Sequence, residues 1–113
     1  MQRLDILLAG NVIDKETHSF SVKAADLLAT KYGFQNESLD MLITHLAMAH
    51  QRIKVSAQES PILDKEIIEE IKSNCNFEKS KEIMSEIESL ADIKYPENER
   101  EFILAHIINI LDI

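Results

Sequence analysis

Only two glycines and two prolines interrupt the 113 residues of this chain, and that scarcity of turn formers constrains its fold more than any other feature. A sandwich or barrel of short strands wants a turn signal roughly every 8–12 residues. Here the stretches between breakers are filled by Leu, Ala, Glu, Lys, Ile and Met, mostly residues that sit easily in helices. The fold class that follows is all-α, a compact bundle of about five helices. A chain of this length can build one hydrophobic core. With 45% hydrophobic and 28% charged residues it belongs with globular chains and not with disordered tails.

The apolar spacing divides the chain. Residues 1–16 form a short N-terminal arm or helix, with Leu4, Leu7 and Leu8 on one side and a break at Gly10-Asn11. Residues 17–113 form the helical domain. Cap candidates in Asp14–Thr17 start a helix that carries Phe20, Ala24, Leu27 and Leu28 to a stop at Gly33. The next helix starts at Asn36 or Ser38 and reaches about Val55, with Leu39, Leu42, Ile43, Leu46, Ala49 and Ile53 as its apolar stripe. After a polar loop, Ser56–Glu59, Ser60-Pro61 reads as N-cap and first-turn proline of a helix carrying Leu63, Ile67, Ile68 and Ile71. That helix ends near Asn74, and Asn76 is placed to cap the following one, whose inner side is Phe77, Ile83, Met84, Ile87 and Leu90. Pro96 opens the last helix, with Glu97 and Glu99 near the positive end of its dipole. From Phe102 to Ile113 it is apolar almost all round, the pattern of a central helix or a dimer interface.

The formal charge of −8 and the lack of a Lys/Arg run argue against direct binding to nucleic acid, whose phosphates want a basic face. The single Cys75 fits a reducing cytoplasm and lies in a polar turn, Ser73–Asn76, without the positive neighbours of a reactive thiolate. The N-terminal apolar run is too short for a signal peptide, and no stretch approaches the roughly 18 apolar residues of a membrane span. A cytoplasmic protein with no membrane contact is expected.

Catalytic signatures are missing: no Gly-rich phosphate loop, C-x-x-C pair, H-E-x-x-H or G-x-S-x-G occurs. Acidic pairs such as Glu69-Glu70 and Glu97/Glu99 read as solvated faces or helix starts. No enzyme activity and no cofactor are expected. The histidines carry more. His18 reads as a surface residue at a helix start. His45 and His50 are five apart and point to different sides of one helix, which is the wrong spacing for a metal pair. His45 falls at the edge of the apolar stripe, beside Met41, Met48 and Arg52. His106 interrupts the apolar run of the last helix, and an imidazole among isoleucines is costly unless paired. Periodicity alone leaves both open between core-edge packing and function.

Two segments then stand out together: T-H-L-A-M-A-H-Q-R-I around His45 and Y-P-E-N-E-R-E-F-I-L-A-H-I ending just past His106. They resemble the two signature stretches of the PTS-regulation domain, and Ser60-Pro61-Ile62-Leu63 resembles that family's helix start. The resemblance runs from about Thr17 to Ile113. It implies phosphoacceptor roles for His45 and His106, with Arg52 and Glu99 at positions that support them. It also implies a phosphoryl donor, the phosphocarrier HPr or a sugar-transporter subunit, and control of carbohydrate-linked transcription. Many members have Asp before the first histidine, where Thr44 stands here. The expectation is a stand-alone regulatory module, a homodimer, whose output acts on a partner protein. The alternative is a helical adaptor bundle with no phosphoacceptor activity. A two-component phosphotransfer bundle fits less well, because Lys-Gly follows neither histidine.

Overall fold

The structure, a computed structural model, describes residues 2–55, 63–91 and 93–112. Among these residues it holds six helices and no strand: α1 (Gln2–Ala9), α2 (Lys15–Tyr32), α3 (Asn36–Lys54), α4 (Lys65–Ser73), α5 (Phe77–Glu88) and α6 (Glu97–Leu111). The all-α expectation holds, with the N-terminal stretch supplying α1. The loop Ser56–Glu59 and the Ser60-Pro61-Ile62 start signal lie outside the described residues. The helix they were expected to open begins later. Leu63 precedes α4, and Asp64, in extended backbone (φ −61°, ψ 148°), takes the N-cap position. Its side chain makes no cap hydrogen bond, so Asp64 marks the start of α4 by its extended backbone alone.

The chain divides into two compact units, residues 1–58 with α1–α3 and residues 59–113 with α4–α6. In the first, α2 begins where Asp14 Oδ1 accepts the Thr17 N–H at 2.8 Å. It ends at Gly33, whose φ of 72° is open to glycine without strain. The Gly33 and Phe34 amides both bond the Leu28 carbonyl, and Phe34 is buried. On α3 the stripe Leu39, Leu42, Ile43, Leu46 and Ala49 is buried against α2 and α1. Each fully covered leucine or isoleucine there contributes about 1.5–3 kcal/mol. Ile53, at the end of the expected stripe, is only half-buried.

Polar contacts fasten these helices at their ends. The Asp14 backbone N–H donates to Gln51 Oε1 at 2.9 Å, and Lys54 Nζ reaches Asp14 Oδ2 at 2.8 Å and also pairs with Glu16. Lys54 holds the Asp14 carboxyl well below the usual carboxylate range, with the Thr17 amide helping. His18, expected as a bare surface residue, is half-buried and ties α2 to α1 through Asp5 at 2.9 Å. His50 is buried, 3% exposed, and stacks on Phe20 with ring centroids 4.0 Å apart and an interplanar angle of 16°. Its burial lowers its proton affinity, and the Lys54 charge lowers it further.

In the second unit Ile83, Met84 and Ile87 of α5 meet the buried face of α6, and α4 adds Ile71. Asn76 occupies the N-cap of α5 as expected, but its side chain does not cap the helix. Its Nδ2 donates instead to Asp112 Oδ1 at 2.8 Å, and Asn74 Nδ2 donates to Asp112 Oδ2 at 3.1 Å. The carboxylate at the end of α6 therefore fixes the α4–α5 turn that carries the exposed Cys75.

Replacing Asp14 with alanine removes an N-cap and should cost about 1 kcal/mol, read as a lower urea midpoint at unchanged m-value. A histidine whose folded-state affinity for protons lies below the ordinary value of 6.5 leaves stability level above that pH. Stability then falls as the pH drops below it, because the unfolded chain takes up the proton first. Urea midpoints should decline below pH 6.5, and His50→Phe, which keeps the ring stack, should flatten that decline.

Candidate functional site

At about 100° per residue, the buried stripe of α3 fixes which way the rest of that helix points. His45 lies at the stripe's edge and is half-buried. Met41, one turn before it, and Met48, one turn after it, are exposed. Burial holds the His45 imidazole below its ordinary proton affinity, and the positive charge of Arg52 adds to the effect. His45 is therefore predominantly neutral at neutral pH, with a cation close enough to be felt. Thr44 Oγ1 donates to the Asp40 carbonyl one turn back at 2.7 Å. Its single hydroxyl proton is thus committed within the helix, where an aspartate would offer only acceptor oxygens.

His106 sits on α6, also half-buried, with its ring edge-to-face on Phe102 at a centroid distance of 4.9 Å and an interplanar angle of 80°. Glu99, two turns earlier, corrects the expectation of a solvated carboxylate, for its exposure is 0%. The reason is periodic: Glu99, Ile103 and Ile107 recur every fourth residue and share the face that α6 buries. Tyr95 is buried beside it. Desolvation first, and then the negative charges of Glu88 and Glu99, hold its hydroxyl well above the usual phenol range, so it stays protonated. Glu88 in turn accepts the Tyr95 N–H at 3.3 Å and Arg100 Nε at 2.9 Å, which joins the end of α5 to the start of α6.

The four residues singled out from the sequence thus form two pairs. His45 and Arg52 belong to the first unit, and His106 and Glu99 to the second. The buried places of His50 and Glu99 were missed, although each had a signal. His50 follows Leu46 by four residues and Ile43 by seven, and Glu99 precedes Ile103 by four. Among the described residues no group of three His, Cys, Asp or Glu side chains could hold a metal ion, and no helix is long and apolar enough to cross a membrane.

A neutral ring nitrogen at the edge of a core, with a guanidinium within electrostatic reach, has the properties of a nucleophile toward phosphorus. The same cation favours the charge that such a reaction would leave behind. The family model of the PRD domain matches residues 23–110, a span that contains His45, Arg52, Glu99 and His106. No curated protein and no solved structure matches the chain. The chain belongs to the PRD family, the helical regulatory domains of the sugar phosphotransferase system.

Proposed function

We propose that this domain is a phosphoacceptor switch, in which HPr or a sugar-transporter subunit phosphorylates His45 and His106. The observation that carries the reading is the neutral His45 imidazole at the edge of the α3 stripe, with the Arg52 charge acting on it. The protein is not an enzyme and needs no cofactor, because the activated phosphoryl group arrives with the donor. It works in the cytoplasm, as a homodimer, through residues 17–113, with residues 1–16 as an extension. Its output is control of carbohydrate-linked transcription through a partner protein, with no direct contact to nucleic acid.

The chemistry needs little from the acceptor beyond position and protonation state. The lone pair of a neutral ring nitrogen forms the new P–N bond while the P–N bond of the donor's phosphohistidine breaks. The donor imidazole keeps that electron pair. One proton passes through solvent from the acceptor's other ring nitrogen to the donor ring, so the exchange is balanced. The product bears a nearly dianionic group where a neutral ring stood. At His45 that charge favours Arg52; at His106 it enters a helix whose first turns hold Glu97 and Glu99. Either change alters how the surrounding face meets another protein.

Incubation with phosphorylated HPr or a phosphorylated transporter subunit should place acid-labile phosphate on His45 and His106. The His45→Ala/His106→Ala double variant should take up none. Label that persists in that variant, or no label on the unmodified protein, would leave the helical adaptor reading in its place. The rate at His45 should also hold its plateau to a pH below 6.5, the ordinary imidazole value. In Arg52→Met, loss of the positive charge should move the midpoint of that profile upward.

A further inference from the structure

Along α3 and its C-cap Val55, residues 38, 41, 45, 48, 52 and 55 succeed one another at alternating steps of three and four and so form one strip. It reads Ser38, Met41, His45, Met48, Arg52, Val55. In a chain with 20 acidic side chains it contains no carboxylate. Its large apolar members are open to solvent, Met41 by 47%, Met48 by 38% and Val55 by 61%. Neighbours three or four apart on a helix lie about 5–6 Å from one another at Cβ. Met41 stands four before His45 and Met48 three after it, so the two methionines flank the imidazole along the helix axis.

We propose that Met41 and Met48 are the docking rim for the phosphodonor protein at His45 and decide which phosphohistidine carrier can use it. The inference rests on the reading of His45 as an acceptor and adds the surface that admits the donor. In-line attack requires the donor's phosphorus within about 3–3.5 Å of the His45 nitrogen. A protein whose phosphohistidine comes that near must cover the residues one turn to either side. Those residues are long, unbranched thioethers that adapt to a partner's shape and gain by leaving water. The occupant that fits is a protein whose phosphohistidine is ringed by uncharged, largely apolar side chains. Its phosphoryl group meets Arg52 and no acid on the strip, so the charge pattern favours the phosphorylated donor over the spent one. A donor with a lysine-rich rim would be turned away by desolvation of its charges against the methionines.

The test compares two donors on the full chain, with label at His45 read by peptide mapping. Phosphoramidate is a small P–N donor that needs no docking surface, whereas phosphorylated HPr must dock. In Met41→Ser/Met48→Ser the ratio of the HPr-driven to the phosphoramidate-driven rate should fall roughly ten-fold or more, as when apolar interface anchors are lost. Met41→Leu/Met48→Leu, which keeps the apolar area, should retain the ratio. An unchanged ratio in the serine variant overturns the docking rim. So does a serine variant that shifts the monomer–dimer equilibrium while the ratio stays constant, because the face would then belong to a second copy of the chain. Failure of the unmodified protein to take label at His45 from either donor is a different result, and it overturns the acceptor reading itself.

Discussion

Burial of the aliphatic stripe of α3 is the constraint from which the first unit follows. Leu42, Ile43 and Leu46 have almost no solvent contact, and covering all three fixes the face that α3 turns inward. That orientation brings His50 inward onto Phe20, leaves His45 at the boundary and turns Met41 and Met48 out. The chemistry of His45 is thus a consequence of packing. The side chain is covered enough to disfavour its proton and open enough to be approached.

Polar contacts add definition where the helices join. Hydrogen bonds of the kind made by Gln51, Asn74 and Asn76 contribute about 0.5–1.5 kcal/mol each, less than one buried leucine. Their value lies in placement. Asp14 caps α2 and receives Lys54 from the far end of α3. Asp112 takes two asparagine amides from the α4–α5 turn, and Glu88 takes both the Tyr95 amide and Arg100. In an acidic chain, each of these carboxylates sits opposite donors, so negative charge is used to close loops.

Much of this was legible from residue spacing. Gly33 stops α2, Gly10-Asn11 ends α1, and Leu39, Leu42, Ile43, Leu46 and Ala49 make one buried face, all as local rules require. Side chains whose surroundings come from elsewhere in the chain were less legible. Glu99 looked like a solvated first-turn acid, because an acid at a helix start is ordinarily favoured by the dipole and left in water. Its burial follows from the face it shares with Ile103 and Ile107, and which face of α6 is covered was decided by its packing on α5 and α4. Asn76 looked like a cap, and the competing partner Asp112 lies 36 residues away. Leu63 was counted into a helix that begins only at Lys65.

The sequence by itself determined the helical class, the order of the helices and the two motif-bearing stretches that hold His45 and His106. These depend on propensity, breakers and periodicity, which act over a few residues. Only the tertiary structure decided how each of those histidines is presented. It sets His45 half-covered under the influence of Arg52 and places His106 edge-on to Phe102, while His50, so close in sequence, is enclosed and stacked. The physical reason is that proton affinity and access depend on solvent exclusion and nearby charge. Those are properties of the space around a side chain, and that space is created only when the helices pack.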